Sequence, residues 1–532
     1  MPVPDLFREG LARGWKTHDG SALSDDLTLE TDIAIIGSGA GGATSAELLS
    51  AAGYRVLLIE EGPLKTSSDF NMLEHQAYAS LYQEGIGRMS KDGAITILQG
   101  RAVGGTTLIN WTSSFRTPEP TLQHWASEHA VIGHGADDLA PWFEHMEQRL
   151  GITPWQLPPN ANNDVLRRGC AALGLDWKVI PRNVRGCWNL GYCGMGCPVN
   201  AKQSMLVTSI PATLEHGGEL LYLARAERLE HDGQRIAELH CVAMDPQCVA
   251  PTGRRIRVRA RHYLLAGGGI NSPALLLRSK APDPHERLGK RTFLHLVNFS
   301  AARFAEPVNP FYGAPQSIYS DHHQWRGGVS GPMGYKLEVP PLHPALAATL
   351  LGGFGTDNAL RMADLPHTHV MLALLRDGFH PQSVGGTVHL RGDGTPVLDY
   401  GVSAYAWDGV RRAFHSMAEI QLAAGADAVL PLHASARPVK TLGEARQMID
   451  GLSLELFLTR LGSAHVMGGC AMGEDPAQSV CDSLGRHHRL ENLSIHDGSL
   501  FPTSIGANPQ LSVYAISARL SHLLAKRLKT PA

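Results

Sequence analysis

Residues 31–62 read TDIAIIGSGAGGATSAELLSAAGYRVLLIEEG, and their pattern is the strongest indication of the fold class. An apolar run of strand type, residues 32–36, is closed at once by a glycine-rich loop, residues 37–42. A helical pattern follows, and then a second apolar strand, residues 55–59. A strand, a glycine loop, a helix and a strand within about 30 residues predict the βαβ unit that binds a dinucleotide.

Each glycine of this loop has a physical role in that unit. Gly37 permits a tight turn, Gly39 lets the backbone approach a pyrophosphate, and Gly42 lets the helix pack closely on the sheet. The helix N-terminus then offers unpaired N–H groups to the phosphates. Glu60, at the end of the second strand, is placed to accept hydrogen bonds from a free ribose, which argues against a 2′-phosphate. The alternative is an incidental glycine-rich turn.

The composition is that of an ordinary globular protein. The chain has 532 residues, 43% hydrophobic and 18% charged, so it is long enough for about three domains. A formal charge of -3 gives no electrostatic argument for binding nucleic acid or an anionic membrane. The first 20 residues have no apolar segment after a basic start, so we expect no signal peptide and a cytoplasmic protein.

One uncharged segment, Val339 to Thr356, is the nearest approach to a membrane span. Pro340, Pro341 and Pro344 interrupt it, so we predict no transmembrane helix. The segment is either a buried loop with a short helix or an apolar lip over a substrate channel or partner surface. Peripheral membrane association therefore stays open.

The other end of the chain also carries a strong pattern. A strand over 493–496 runs into Asp497-Gly498, and Asn508-Pro509 opens a helix whose apolar residues recur at steps of three and four. Further patterns lie between the two ends of the chain: a strand over 263–266, a helix over 272–278, a hairpin over 385–400 and a helix over 407–425.

These patterns predict two kinds of domain. The first is an α/β, Rossmann-like nucleotide domain with a parallel sheet, built from the discontinuous segments 1–110, 200–292 and 460–532. The second is an inserted α+β substrate domain with an antiparallel sheet, made of residues 111–199 and 293–459.

Four separated motifs resemble those of the glucose–methanol–choline (GMC) oxidoreductase family, in family order over nearly the whole chain. They are Gly100 to Asn110 (GRAVGGTTLIN), Ala266-Gly267-Gly268 with Asn271-Ser272-Pro273, Asp497-Gly498-Ser499, and Asn508-Pro509. The resemblance implies FAD as the cofactor. It also implies a cofactor-binding set beyond the glycine loop: Val103, Gly105, Asn110, Ala266, Asp497, Gly498 and Pro509.

The resemblance also bears on how the flavin is held. Some members of the family attach the flavin to a histidine at the position that Ile109 occupies here. An isoleucine cannot form that bond, so we expect non-covalent FAD.

Removing a hydroxyl proton needs a base with a pKa near 7, and histidine fits. The segment SAHVMGGC, residues 463–470, resembles the family's catalytic-histidine motif, which implies that His465 is the general base. Asn508 is expected to orient the substrate oxygen, to cap the last helix, or to do both. We expect His487, His488 and His496 to be solvated or packing residues, and Cys470 a small buried hydrophobe.

Cys187, Cys193 and Cys197 lie in a glycine-rich loop, residues 186–198, with a proline after the last. This spacing is similar to that of cluster-bearing, FAD-dependent glucose dehydrogenases of the family, which implies a 3Fe–4S cluster. The alternative is thiols that pack or pair without a metal, and a single zinc lacks a fourth ligand.

The resemblance therefore implies an FAD-dependent alcohol dehydrogenase, in which His465 takes the proton and flavin N5 takes the hydride. A quinone or a cytochrome would then accept the electrons. An oxidase that uses oxygen, and a non-redox hydroxynitrile lyase, are the alternatives. We expect an apolar or aromatic alcohol because the middle region is rich in large apolar residues, including Trp111, Phe311, Tyr312, Met371, Leu372 and Leu375.

Overall fold

The computed structural model describes residues 3–529, which form thirteen α-helices and 22 β-strands. The helices are α1 Leu6–Ala12, α2 Ala40–Ala51, α3 Glu74–Leu81, α4 Glu119–His129, α5 Ala136–Leu150, α6 Ala161–Leu173, α7 Ser209–Glu215, α8 Gly268–Ser279, α9 Pro344–Leu350, α10 Gly355–Ala363, α11 Ala404–Ala423, α12 Leu442–Asp450 and α13 Gln510–Lys529. Each of them is too short or too polar to cross a lipid bilayer.

The strands are β1 Lys16–Asp19, β2 Leu27–Ile36, β3 Val56–Ile59, β4 Ile95–Ile97, β5 Ile152–Pro154, β6 Lys178–Val179, β7 Pro181–Asn183, β8 Glu219–Tyr222, β9 Ala224–His231, β10 Ile236–Met244, β11 Pro251–Leu265, β12 Thr292–Phe293, β13 Val297–Arg303, β14 Ile318–Ser320, β15 Tyr335–Glu338, β16 Thr368–Leu375, β17 Thr387–Leu390, β18 Pro396–Asp399, β19 Ala428–Pro431, β20 Leu461–Ser463, β21 Met467–Gly468 and β22 Leu493–Ile495. Most of them belong to two eight-stranded sheets.

The first sheet has the order β1-β8-β3-β2-β11-β10-β9, with β22 beside the second half of β11. Strands β2, β3, β8, β11 and β22 run parallel, and Ile36 lies opposite both Ile59 and Leu265. Leu265 in turn pairs with Ile495. The carboxyl ends of four strands from distant parts of the chain therefore meet at one edge, where ligands of such sheets bind.

These strands are continuously apolar because their side chains are buried on both faces of the sheet. All four residues of β3 are buried, as are the last four of β2, because a parallel sheet is covered on both sides. Helices α2, α7, α13 and α5 pack against one another over the sheet, and they share one hydrophobic core with it. The predicted Rossmann-like domain is confirmed.

The second sheet is mainly antiparallel, in the order β4-β20-β13-β16-β15-β14-β6, with β19 also paired to β13. One face packs on α6 and α11 in a separate core. On the other face, Val297, Leu372 and Leu374 form a small cluster with Phe299. The predicted antiparallel sheet is confirmed, whereas the domain boundaries stay a prediction; the ranges 1–110 and 460–532 also extend outside the described residues.

Several local predictions are confirmed to within a few residues. The hairpin over 385–400 is β17 and β18, and the helix over 407–425 is α11. The helix predicted over 272–278 begins earlier, at Gly268, and Pro273 lies inside it. Segment 339–356 contains the short helix α9 and no membrane span.

Candidate active site

A cavity of about 1180 Å³ lies between the edge of the parallel sheet and the antiparallel sheet. Residues that follow β2, β3, β11 and β22 line one side of it, and residues of β13 and β16 line the other. A cavity of this size accommodates a large cofactor and a substrate together.

The glycine loop forms part of the cavity wall, and its geometry matches the sequence argument. Gly37 has a φ of +108°, and a Cβ there would lie 2.3 Å from Ala266 O. A Cβ on Gly42 would lie 1.9 Å from Gly37 O, so a side chain there would break the turn. Gly41, which the sequence argument left out, is the tightest: its Cβ would lie 1.6 Å from His496 O.

The end of the loop is built to receive an anion. Helix α2 begins at Ala40, and its N-cap residue Gly39 contributes no side-chain hydrogen bond. The first N–H groups of α2 therefore remain available to a ligand phosphate. Gly39 and Gly105 touch across this point, since a Cβ on Gly105 would lie 2.8 Å from Gly39 Cα. This side-chain-free cradle fits the pyrophosphate of FAD.

Glu60 lines the cavity but is held by the protein itself. Its Oε2 accepts hydrogen bonds from Ser38 N–H (3.1 Å) and Ser38 Oγ (2.5 Å), and its Oε1 accepts one from Gly62 N–H (2.9 Å). Burial raises the pKa of the carboxyl. Oε1 accepts a single hydrogen bond and retains a lone pair, so a ribose contact stays a prediction.

The segment that follows β4 lies beside the glycine loop. One residue of the predicted cofactor-binding set in this segment is not on the cavity wall. Gly105 and Asn110 line the cavity, and Asn110 Nδ2 donates to Gln510 Oε1 at 2.7 Å. Val103 does not line it: the residue is fully buried in the core, and its N–H donates to Pro63 O. The family resemblance implied that Val103 lies along the flavin, but the loop turns at Gly104, and the chain reaches the cavity wall at Gly105. Ile109 also lines the cavity.

Asp497 ties together three motifs that are far apart in the sequence. Its Oδ2 accepts hydrogen bonds from Gly268 N–H (2.8 Å) and Ser272 Oγ (2.6 Å), and its Oδ1 accepts one from Ser499 N–H (2.7 Å). Asp497 lines the cavity together with Ala266, Gly498 and Pro509, as the sequence predicts.

His465 also lines the cavity, and its Nε2 has no hydrogen-bond partner within residues 3–529. Burial, followed by the charge of Lys336, lowers the pKa of His465 to about 3. Sequence reasoning expected a pKa near 7, whereas the pKa here is lower. The ring is half-buried on the cavity wall, and burial together with the charge of Lys336 favours its neutral form, which accepts a proton.

A second imidazole, His295, contacts His465 and was missed from the sequence. The two Nδ1 atoms are 3.4 Å apart, and Gly506 N–H donates to Nε2 of His295 at 2.9 Å. Because that bond makes Nε2 an acceptor, neutral His295 carries its hydrogen on Nδ1, towards His465. For His465 to accept a proton on Nε2, its own hydrogen must sit on Nδ1, so one ring must turn slightly. The contact between the two Nδ1 atoms, at 3.4 Å, is a long and weak hydrogen bond, so turning a ring away from it costs little free energy.

Asn508 lines the cavity, but its side chain does not cap α13. Its Oδ1 accepts a hydrogen bond from Lys336 Nζ (2.9 Å), and its Nδ2 donates to Glu338 Oε2 (3.1 Å). Both partners are on β15, in the other sheet. The N-cap interpretation is therefore wrong, and the role in orienting a substrate oxygen stays a prediction.

The apolar wall of the cavity differs from the predicted one. Trp111 and Leu372 line it, whereas Phe311, Tyr312, Met371 and Leu375 do not. Side chains alternate along β16, so Met371 and Leu375 pack in the core beneath α11, and Leu372 and Leu374 face the cavity. Beyond them, Pro340, Pro341, Leu346 and Leu350 line the cavity, which supports the interpretation of segment 339–356 as an apolar lip.

The three loop cysteines are free and half-buried. Within residues 3–529, the one set of side chains whose ligand atoms all lie within 4.8 Å of one another is Glu230, Glu238 and His240, on the first sheet. The three sulfur atoms therefore do not all lie within 4.8 Å of one another. Cys193 Sγ lies 3.7 Å from the guanidinium of Arg182, and burial raises the pKa of Cys187.

The remaining candidates have structural roles. His487 and His496 are buried, and Nδ1 of His496 lies 2.9 Å from Ser45 Oγ. His488 Nε2 lies 2.8 Å from Ser479 Oγ. Cys470 is fully buried, as predicted.

Comparison with known proteins identifies the family of this chain. Family models for GMC oxidoreductases match residues 78–297 and 381–517, and a model for an NAD(P)-binding Rossmann-like domain matches residues 35–64. A long-chain-alcohol oxidase of Arabidopsis thaliana is 26% identical over 95% of this chain and 68% of its own length. A 6'''-hydroxyparomomycin C oxidase of Streptomyces lividus is 29% identical over 93% of this chain and 92% of its own.

Solved structures show the same fold. A formate oxidase of Aspergillus oryzae RIB40 superimposes with a TM-score of 0.71 at 14% identity, covering 95% of this chain and 100% of that one. A pyridoxine 4-oxidase of Mesorbium loti gives 0.68 at 18% identity, covering 93% and 99%. The Rossmann-like domain and the cradle at Gly39 and Gly105 fit FAD. The chain belongs to the GMC oxidoreductase family, whose members carry out flavin-dependent oxidation of alcohols.

Proposed function

We propose that the protein oxidises an apolar alcohol to an aldehyde or ketone, with His465 as the general base. The observation that carries this is that His465, with a free Nε2, lines the same cavity as the phosphate cradle at Gly39, and burial lowers its pKa. A neutral ring with a free Nε2 is the form that takes a hydroxyl proton. FAD, when bound, supplies the ring that accepts a hydride at N5.

Residues of the chain transfer the proton, orient the substrate oxygen and exclude water. His465 takes the proton at Nε2, and the imidazolium so formed is stabilised by the alkoxide oxygen that it has just deprotonated. Asn508 donates a hydrogen bond to that oxygen, and the apolar residues of β13 and β16 exclude water. The low pKa of His465 makes the imidazolium short-lived without a neighbouring negative charge.

The test is the variant His465→Ala, purified with its flavin. Positioned general bases contribute typically about 10²–10⁴-fold, so we expect anaerobic reduction of the flavin by an alcohol to slow by that factor. The matched control is His488→Ala, which lies off the cavity and should reduce its flavin at the wild-type rate. Undiminished reduction in His465→Ala would refute the role, and a protein that cannot bind FAD would refute the whole proposal.

We infer an apolar substrate from the cavity wall. Val297, Phe299, Leu372 and Leu374 present hydrocarbon, and α9 continues it with Leu346 and Leu350. The similarity to a long-chain-alcohol oxidase supports the same class. Flavin reduction by a panel of aliphatic, aromatic, sterol and sugar alcohols tests it.

We further propose that the reduced enzyme passes electrons to an external acceptor, such as a quinone or a cytochrome, with an oxidase as the second candidate. The relatives named oxidases favour the second. With one good substrate, the ratio of peroxide released to dye reduced separates the two. Because Ile109 replaces the residue that would hold the flavin, we also propose non-covalent FAD, which denaturation in acid should release in full.

A 3Fe–4S cluster on Cys187, Cys193 and Cys197 is a further part of this proposal. Its support is two buried cations beside the loop, Arg182 and Lys202, neither of which makes an ion pair in the described part of the chain. Lys202 Nζ donates to three backbone carbonyls, and Nη1 of Arg182 has no hydrogen-bond partner among residues 3–529. An anionic cluster would balance both charges. Iron analysis of anaerobically purified protein decides the matter.

A further inference from the structure

A buried ion pair lies beside the proposed catalytic residues. Lys336 and Glu338 are two positions apart on β15, so their side chains share one face of the sheet. Lys336 is 2% exposed and Glu338 0%, and Nζ lies 2.9 Å from Oε1, off the line of a good hydrogen bond. The ammonium of Lys336 lies over the face of the Phe115 ring, 3.1 Å from the ring centroid.

Such a pair is a poor way to stabilise a fold. Taking two charges out of water costs several kcal/mol per ion, and replacement of a buried pair by apolar residues is often neutral or stabilising. A role other than stability therefore explains a buried pair of this kind better. Here the pair contacts the side-chain amide of Asn508.

The contacts leave the amide with one orientation. Lys336 Nζ donates to Oδ1 at 2.9 Å, and Nδ2 donates to Glu338 Oε2 at 3.1 Å. An ammonium has no acceptor and a carboxylate has no donor. A flipped amide would set its NH₂ group against the ammonium and its oxygen against the carboxylate, so the pair excludes the flipped form.

We propose that Lys336 and Glu338 are positioning residues for the reaction: they fix the Asn508 amide so that an N–H, and not the carbonyl, is presented to the substrate oxygen. The NH₂ group has two hydrogens, one of which is taken by Glu338, and Asn508 lines the cavity together with His465. The inference rests on the proposed function for the place of the substrate oxygen.

The orientation matters because the two ends of the amide act oppositely on an alkoxide. An N–H stabilises the negative charge that develops when the hydroxyl proton leaves, whereas a carbonyl oxygen would repel it. Loss of one preorganised donor to an oxyanion typically costs about 10²–10³-fold in kcat. The effect should fall on kcat, with KM for the neutral alcohol nearly unchanged, since the charge exists only after deprotonation.

The kinetic test is a double-mutant cycle of Glu338→Gln and Asn508→Ala, measured as the anaerobic rate of flavin reduction. We expect Asn508→Ala to lose about 10²-fold and Glu338→Gln at least about 10-fold, because the variant removes one of the two contacts that exclude the flipped amide. The double variant should be no slower than Asn508→Ala alone, since both changes remove one interaction. Multiplied losses, or a loss in KM instead of kcat, would overturn the proposal.

Two controls separate positioning from folding. Asp427→Asn removes the exposed partner of Arg303 in the same sheet and should match the wild type. If Glu338→Gln does not fold, Lys336→Met replaces it in the cycle, because it removes the other of the two contacts that exclude the flipped amide. An undiminished rate in the folded variant would overturn the proposal.

A second measurement does not depend on turnover. In protein labelled with [¹⁵N]asparagine, the side-chain amide of Asn508 is assigned by its loss in Asn508→Ala, and its hydrogen exchange is compared in the wild type and Glu338→Gln. We expect exchange at least about 10-fold faster in the variant, because the carboxylate no longer holds the hydrogen. Unchanged exchange and shift would overturn the orientation claim. If the wild type fails to reduce its flavin with any alcohol, the proposed function falls, and this measurement still decides the role of the pair.

Discussion

The apolar wall of the cavity predicts how activity depends on the length of the substrate. His295, which contacts His465, is two residues before Val297 on the way into β13. Val297 pairs with Leu374, and Phe299 pairs with Leu372. The pair Val297 and Leu374 therefore forms a first apolar layer near His465, and the pair Phe299 and Leu372 forms a second layer farther away. The two layers are two strand residues apart, or roughly 7 Å. At roughly 1.3 Å per methylene, from a C–C bond of about 1.5 Å, this is about five carbons.

In the wild type, kcat/KM should rise with chain length. Each buried methylene contributes about 0.8 kcal/mol, which is about fourfold per carbon until the chain leaves the apolar wall. The perturbation is Leu372→Gln, which puts an amide of similar size in the second layer. An unpaired amide buried against hydrocarbon costs about 1–3 kcal/mol, or about 5- to 150-fold in kcat/KM, and only alcohols long enough to reach it should suffer.

The assay is the second-order rate of anaerobic flavin reduction by straight-chain primary alcohols from propanol to dodecanol. Leu374→Gln is the matched control in the first layer, where the loss should begin at shorter chains than in Leu372→Gln. An equal loss for all chain lengths in Leu372→Gln, the same onset in both variants, or a wild type indifferent to chain length would refute the two-layer reasoning.

Three further predictions follow from the geometry. Gly105→Ala should weaken FAD binding at least about tenfold by fluorescence titration, because φ is +54° and its Cβ would lie 2.8 Å from Gly39 Cα; Gly174→Ala, at φ +67° with open space around it, should bind FAD normally. The kcat/KM profile of the holoenzyme should stay flat from pH 7 down to about 5, because the pKa of His465 is lowered to about 3; a limb centred near 6.5 would contradict this. The free energy of unfolding should decrease in acid, because burial lowers the pKa of His369 and His496 to about 3 in the folded state. The contribution of these two residues to stability is complete above the unfolded pKa of about 6.5 and is lost as the pH falls below it. At pH 5 the loss is roughly 2 kcal/mol for each residue. Melting curves of His369→Gln should show a shallower acid slope than the wild type.

The sequence predicts the cofactor side of the site well because its signals are local. A strand, glycine loop, helix and strand lie within one stretch, and parallel pairing then brings Glu60, Ala266 and Asp497 to the same edge. His465 could be proposed from the resemblance of its motif alone. Gly41 had no such signal, because the atom that it must avoid, His496 O, belongs to the other end of the chain.

The substrate side was predicted poorly because its residues meet through long-range pairing. Strand β16 is apolar at nearly every position, so the sequence does not say that Leu372 faces the cavity and Met371 the core. Lys336 and Glu338 read as the polar residues of an ordinary strand, and only the partner elements show that both are buried. The register between β13 and β16, which no local pattern encodes, decides which side chains line the cavity.

The charges around His465 indicate which ion of the proton transfer the site stabilises, the alkoxide or the imidazolium. Lys336 lies near the imidazole and contributes to lowering its pKa, and the N-terminus of the 20-residue helix α13 begins at Gln510 on the cavity wall. Both place positive potential where the alcohol oxygen is expected to lie. A site of this kind favours an alkoxide and disfavours an imidazolium, so the chain stabilises the ionised alcohol more than it strengthens the base. The reaction then depends on the donors that surround the oxygen at least as much as on the basicity of His465.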